Sequence, residues 1–414
     1  MLCLIIVILF ITTKCSCSAT HKNNVCKTLQ DYSSINTNKN CWYNPDVHSS
    51  PVQIAERHGF FIEEHKVVTK DGYILTLYRI PLRDGNKHLK GIPVLIQHGI
   101  GGSAILWMLL GHDSLAFVLS RNGYDVWLPT IRGGVKSDQH TTLSTSDPNY
   151  WDYSFHEMAV YDMPAVIEYI SKITRHRKKI IYIGHSMGAT ISFVYSNLLR
   201  KHATQHLEEI IALSPVIYTK NMEGIAPLLA PFSRILKIYL NKAGIHKTGY
   251  DAAFNNISST FCGTYPGIMF CEMLLSMACG FPRKDLLSDI YPSFFNNFPR
   301  GVSLKTLSHF AQCIVSGNIQ MYDYGSENIF KYNSTSPPLY ESGKMSLPIH
   351  FFVGLKDYLG TRKDVENLHN EMKRNGVSTS IHYFDYTHNE FFLGKNLEGF
   401  YGTLLKVMNG ISKT

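Results

Sequence analysis

An α/β fold built on a mainly parallel sheet is predicted for this chain of 414 residues. Three observations predict it. Short apolar runs recur along the chain, separated by stretches long enough for helices of ten or more residues, which is the pattern of βαβ units. One run, Ile180-Ile181-Tyr182-Ile183, enters Gly184-His185-Ser186-Met187-Gly188 and then the helix-like Ala189-Thr190-Ile191-Ser192-Phe193-Val194. Hydrophobic residues at 44% and charged residues at 17% are the proportions of a globular protein, not a disordered one.

In chain order, the apolar stretch of residues 2 to 13 is too short to span a bilayer comfortably. With small residues at Cys17, Ser18 and Ala19 it reads as a secretory signal, residues 1–19, although no basic residue precedes it. Glu64 to Thr69 and Tyr73 to Ile80 alternate around Lys70-Asp71-Gly72, which predicts a β-hairpin. Further strands are expected at Pro93 to Gln97, Tyr124 to Leu128, Lys179 to Ile183, Glu209 to Pro215, Ile349 to Val353 and Ser380 to Phe384. The alternation lapses between about residues 217 and 345, a helix-like stretch holding many of the cysteines. The economical reading is a core of residues 20–216 and 346–414 interrupted by a helical cap or lid, residues 217–345.

The formal charge of +8 is modest and spread out. The cluster Arg175-His176-Arg177-Lys178-Lys179 reads as a solvated helix end before a strand. Nucleic acid is not indicated as a partner. Once the signal is removed, six cysteines remain: Cys26, Cys41, Cys262, Cys271, Cys279 and Cys313. An even number suits disulfides in an oxidising compartment. Cys26 and Cys41 could close a local loop, Cys271 and Cys279 could pin a helix hairpin or turn, and Cys313 could stand as a buried thiol. The spacings leave the connectivity open, and none is the C-x-x-C of a zinc site. Asn256-Ile257-Ser258 and Asn333-Ser334-Thr335 are glycosylation sequons, so Asn256 and Asn333 are candidate carriers.

The pattern G-x-S-x-G between a strand and a helix is a nucleophile elbow, in which a tight turn exposes the serine. A serine needs a base, and the base needs an orienting group. In α/β-hydrolases these follow in the order Ser, acid, His, each on a loop after a later strand. Asp357 lies just past the strand ending at Val353, and His388 just past the last strand. Ser186, Asp357 and His388 are therefore the candidate catalytic residues. Asp364 and Asp385 are rival acids, and His382 lies within a strand instead of on the loop. An oxyanion hole calls for two backbone N–H donors, expected at Met187 and at Ile100 in His98-Gly99-Ile100-Gly101-Gly102-Ser103. The same glycine-rich loop fits the dinucleotide fingerprint G-x-G-x-x-A. Asp125, the acid that reading needs, opens the next strand where it should close it. The oxidoreductase reading is the weaker one.

Several stretches in order resemble the acid lipases, a family that includes lysosomal acid lipase and gastric lipase. They include Asn44-Pro45-Asp46-Val47, Val67 to Leu75, His98-Gly99, Gly123 to Leu128, Trp151 to Pro164, Gly184 to Gly188, Leu213 to Val216, Cys279-Gly280-Phe281, Tyr322 to Ser326 and Gly354 to Asp357. The resemblance covers roughly residues 42 to 408 and implies an α/β-hydrolase fold. It implies a secreted or lysosomal glycoprotein that hydrolyses fatty-acid esters, triacylglycerol or cholesteryl ester, without a cofactor. Ser186 would be nucleophile, His388 base then acid, Asp357 orienter, and Ile100 and Met187 oxyanion donors. A cap bridge Cys271–Cys279 follows from the same resemblance.

The chain departs from the family pattern in places. Ile100 replaces a usual Leu and Met187 a usual Gln. Thr130-Ile131-Arg132-Gly133-Gly134 replaces Asn-x-Arg-Gly-Asn, and Leu359-Gly360-Thr361 replaces Leu-Ala-Asp. Ile225 to Phe232 and Arg234 to Leu240 form an apolar, then basic amphipathic stretch. It suits either packing of the cap or a mobile lid meeting the lipid–water interface. A soluble-substrate esterase or acyltransferase, and a catalytically silent lipid carrier on the same fold, are the competing functions.

Overall fold

The computed structural model describes residues 22–82, 91–175, 178–249, 252–282 and 288–411. The expected signal at residues 1–19 lies outside them, as do His176 and Arg177 of the basic cluster. Among the described residues nine strands form the central sheet: β1 (Glu63–Val68), β2 (Tyr73–Ile80), β3 (Ile92–Gln97), β4 (Tyr124–Pro129), β5 (Gln139–His140), β6 (Ile180–His185), β7 (Leu207–Leu213), β8 (Ile349–Gly354) and β9 (Thr379–Phe384). Their order is β9-β8-β7-β6-β3-β4-β2-β1, with β5 paired to β2. Neighbours from β4 to β9 run parallel, while β1, β2 and β5 add an antiparallel edge.

The β1–β2 hairpin closes at Thr69 to Gly72, where Gly72 adopts φ +97°. Every residue of β3, β4 and β6 is buried, which explains why those strands read as unbroken apolar runs. Successive side chains serve opposite faces. Val94, Ile96, Ile181 and Ile183 join one hydrophobic core, with Phe117 and Leu119 of helix α1 (Leu115–Arg121) and Phe400 and Leu404 of the C-terminal helix. Leu95, Ile180, Tyr182 and Ile210 join the other, against α2 (Met163–Ile173) and α3 (Met187–Leu198).

β7 and β8 are sheet neighbours, yet the chain between them leaves the sheet to build a helical layer. That layer contains α4 (Ser233–Lys242), α5 (Ala252–Cys262), α6 (Gly267–Cys279), α7 (Tyr291–Asn297) and α8 (Leu304–Ser316). After it come α9 (Arg362–Arg374) between β8 and β9, and α10 (Glu398–Ile411). The insertion returns to the sheet edge by backbone hydrogen bonds, among them Glu223 N–H to the Tyr358 carbonyl at 2.7 Å.

The 225–240 stretch is divided: Ala230 is buried and Leu229, Leu236 and Leu240 are half-buried, while other apolar side chains face outward. Leu228, Phe232, Ile235 and Tyr239 are 70%, 62%, 58% and 68% exposed. Among the described residues no helix is long and apolar enough to cross a membrane.

Among the described residues the disulfides are Cys26–Cys41 and Cys262–Cys271. This overturns the Cys271–Cys279 bridge. Both cysteines lie on α6, and eight residues of helix separate them by about 12 Å, beyond the roughly 7 Å that a disulfide spans. Cys262, at the end of α5, brings its Cα within 5.6 Å of Cys271 instead. Cys279 and Cys313 remain buried thiols.

Candidate active site

The elbow forms where β6 stops and α3 starts, and Ser186 takes φ +55°, ψ −118° between them. An L-residue adopts that conformation only where the surroundings enforce it. The flanking glycines are part of that enforcement. A Cβ on Gly188 would lie 2.6 Å from the Gln97 carbonyl oxygen, and one on Gly184 would lie 2.6 Å from the Gly188 carbonyl carbon. The Ser186 amide donates to the Leu213 carbonyl at 3.0 Å, and the Tyr182 hydroxyl donates to Gly188 at 2.7 Å.

Asp357 sits in the turn after β8, wholly enclosed. Its Oδ1 accepts from the amides of Leu359 and Gly360 at 2.8 and 2.9 Å. His388 follows β9 and points its Nδ1 at both carboxylate oxygens, 3.0 Å from each. Burial pushes the Asp357 carboxyl up, but His388 and the two amides outweigh it and hold it below the ordinary carboxylate value. Glu390 braces the His388 loop by accepting from the Thr387 amide at 2.6 Å.

The rival acids lie elsewhere. Asp385 pairs with Lys356 at 2.9 Å near solvent. Asp364, in the first turn of α9, accepts from Asn221 through backbone and side chain. His382 contacts Ser380 at 3.0 Å within β9.

Ile100 and Met187, the expected oxyanion donors, lie on the loop after β3 and at the start of α3. Met187 is the first residue of α3, so its N–H has no acceptor within the helix. Ile100 lies on the loop after β3, whose shape depends on His98. The His98 Nδ1–H donates to Gly99 at 2.8 Å, and its Nε2 accepts from the Ile131 amide at 3.3 Å. Burial pushes that imidazole down to about 4, consistent with this single neutral tautomer.

The departures from the family pattern fall in this surrounding layer. Thr130 Oγ1 accepts from the Ala104 amide at 3.2 Å, so the 130–134 segment braces the glycine-rich loop. Arg132 is enclosed, with Asp71 and Asp162 as ion-pair partners. Gly360 serves Asp357 through its backbone, so the loss of the family's alanine leaves that bond in place. A polar cleft of about 590 Å³ opens on the outer side of Asp357, lined by Lys356, Arg362, Lys363 and Glu366 among others. Neither Ser186 nor His388 lines it, and its charges do not suit an acyl chain.

Sequence reasoning overlooked His185, whose imidazole reaches the His388 loop, and Glu390. Neither carried a signal beyond its place beside a motif residue.

This arrangement can be compared with known proteins. The family described as "alpha/beta hydrolase fold" matches residues 92–394, and a partial α/β-hydrolase lipase region matches residues 51–111. The chain is 35% identical to lipase member J of Homo sapiens, over 82% of this chain and 94% of that protein. The chain belongs to the α/β-hydrolase lipases. It is accordingly a carboxylic ester hydrolase. It is also 34% identical to gastric triacylglycerol lipase of Mus musculus, over 78% of this chain and 83% of the relative. Among solved structures it resembles a soluble variant of monoglyceride lipase from Saccharomyces cerevisiae, with a TM-score of 0.52 at 16% identity. That match covers 86% of this chain and 96% of the other. A carboxyl esterase from Bacillus coagulans gives a TM-score of 0.51 over 84% of this lipase and 98% of that chain, also at 16% identity. These two likenesses concern the fold alone.

Proposed function

We propose that this lipase hydrolyses long-chain fatty-acid esters, triacylglycerol or cholesteryl ester, through an acyl-enzyme on Ser186. The observation that carries the reading is the His388 Nδ1 contact with both Asp357 oxygens, 3.0 Å each, on the sheet edge where the Ser186 elbow stands. Because a carboxylate only accepts, Nδ1 holds the proton and Nε2 is left free to accept one. Ser186 Oγ then attacks the ester carbonyl carbon while His388 Nε2 takes the hydroxyl proton. The carbonyl oxygen becomes negative and is met by the N–H groups of Ile100 and Met187. Collapse breaks the bond to the alcohol, which leaves with the proton from His388. Water repeats the sequence on the acyl-enzyme, releasing fatty acid and restoring Ser186. No cofactor enters any of these steps.

Residues 217–345 act in this reading as a cap, and the exposed Leu228, Phe232, Ile235 and Tyr239 as its contact with the lipid–water interface. A secretory route, with delivery outside the cell or to the lysosome, is supported by the two disulfides and by sequon residues Asn256 and Asn333 lying exposed. The test is an assay of the protein and Ser186→Ala on emulsified long-chain triacylglycerol, cholesteryl oleate and a soluble short-chain ester. Activity on either emulsion that Ser186→Ala abolishes is expected. Activity that survives the substitution overturns the mechanism, and activity confined to the soluble ester overturns the substrate class.

A further inference from the structure

Orienting an imidazole takes more than a carboxylate on one ring nitrogen, because the ring can still shift with its own backbone. The His388 peptide is held on both sides. Its N–H donates to the Cys279 carbonyl at 3.1 Å, at the end of α6. Its C=O receives the Nε2 of His185 at 2.8 Å, a contact spanning 203 residues of sequence. A carbonyl oxygen can only accept, so His185 carries its proton on Nε2.

The His185 ring is enclosed by aromatic groups. Phe392 meets it edge-on at 5.0 Å, Trp107 at 6.4 Å, and the His388 ring is tilted against it at 4.8 Å. On its far side, a Cβ placed on Gly99 would come within 3.2 Å of its Nδ1. His185 is the last residue of β6 and the immediate neighbour of Ser186. The strand that carries the serine therefore also grips the loop that carries the histidine.

We propose that His185 is a positioning residue for ester hydrolysis, its Nε2–H holding the His388 carbonyl and so registering the base loop on the nucleophile elbow. The inference rests on the reading of His388 as the base. The residue type fits the task. A phenyl ring would fill the same space but leave the His388 carbonyl without that donor among aromatic side chains. Burial holds this imidazole down to about 3. It therefore stays neutral beside His388 and does not oppose the positive charge that the base acquires during acylation.

Three variants test the proposal, His185→Phe, His185→Gln and His185→Asn, assayed on a soluble short-chain ester beside Ser186→Ala and His388→Ala. A glutamine amide reaches about as far as Nε2, whereas an asparagine amide stops near Nδ1. His185→Phe is expected to lower kcat by about 10²-fold, the cost of a misplacement near 1 Å, with KM within about twofold. His185→Gln should recover most of that loss and His185→Asn should not. The deshielded Nδ1 proton of His388 should broaden in the NMR spectrum of His185→Phe and His185→Asn and persist in His185→Gln. If His185→Phe does not fold, the Gln and Asn pair carries the same comparison. Turnover by His185→Phe or His185→Asn within twofold of the parent overturns the proposal. So does an equal loss in Gln and Asn that follows only the folded fraction. Full activity in His388→Ala would instead overturn the base assignment itself.

Discussion

Replacing Asp357 by asparagine changes one atom of the carboxyl group and should disable the base without disturbing the fold. Oδ1 of Asp357 accepts three contacts: the Leu359 amide at 2.8 Å, the Gly360 amide at 2.9 Å and one from His388 at 3.0 Å. In Asp357→Asn the amide oxygen stays with the two backbone donors, so the NH₂ group faces Nδ1 of His388. A proton kept on Nδ1 would meet the NH₂ hydrogens at the Oδ2 place donor to donor, even with Oδ1 3.0 Å away, so Nδ1 accepts in preference, the ring proton moves to Nε2, and Nε2 can no longer take the proton of Ser186. Turning the amide the other way would restore the useful tautomer but leave two buried N–H donors without acceptors. At about 1–3 kcal/mol for each, the active arrangement lies about 2–6 kcal/mol above the inactive one, a loss of roughly 30-fold to 10⁴-fold. The assay is kcat on a soluble chromogenic ester, with circular dichroism and a melting curve showing that the variant folds. A loss below tenfold would refute the argument from these hydrogen bonds. Asp385→Asn, altering a carboxylate whose partner is Lys356, should stay within twofold.

Peptide mapping under non-reducing conditions should recover Cys262 linked to Cys271 and Cys279 as a thiol. Cys271→Ser should cost about 2.6 kcal/mol by loop-closure entropy across a sequence separation of nine, read from urea unfolding. Gly188→Ala places a Cβ 2.6 Å from the Gln97 oxygen and should destabilise by about 1–3 kcal/mol with loss of activity. Gly402→Ala, with no atom within 4 Å, should stabilise α10 by about 0.5–1 kcal/mol in the same measurement. Acid should weaken the fold through His98 and His185, pushed down to about 4 and about 3 by burial. Both are lowered from 6.5, so unfolded chains bind these two protons first. The stability they contribute is whole above about pH 6.5 and falls by about 1.4 kcal/mol per pH unit for each group until its folded value is reached. Urea midpoints that do not move between pH 6.5 and 4 would contradict this.

How legible each feature was depends on the range of the interaction that creates it. Strands β3, β4 and β6 could be read directly because both faces are covered, so no polar residue interrupts Ile180 to Ile183 or Val126 to Leu128. β5 could not, since Gln139 and His140 form a two-residue strand held only by pairing with Tyr73 and Ile74. Ser186, Asp357 and His388 were legible through chain order, because a parallel sheet carries its loops to one edge and each residue follows a strand. Their neighbours depend on contacts between distant segments. His98 meets Ile131, and His185 meets the His388 carbonyl. Nothing local in the chain distinguishes either residue from an ordinary buried histidine.

The cysteine pairing shows the same dependence from the opposite direction. The family resemblance suggested Cys271 with Cys279, but where α5 and α6 begin and end decides which sulfur atoms can meet, and helix ends are set by packing. That same helix end is tied to the site: a Cβ on Gly280 would lie 2.0 Å from the Lys356 carbonyl oxygen and 3.3 Å from Thr387. Gly280, at φ +100°, thus lets the end of α6 wedge between the loops of Asp357 and His388, where the Cys279 carbonyl takes the His388 N–H. The helical layer between β7 and β8 is therefore tied directly to the His388 loop. The His388 peptide bridges that layer to the strand that leads into Ser186, so a displacement of α6 must either break the Cys279 bond or move His388.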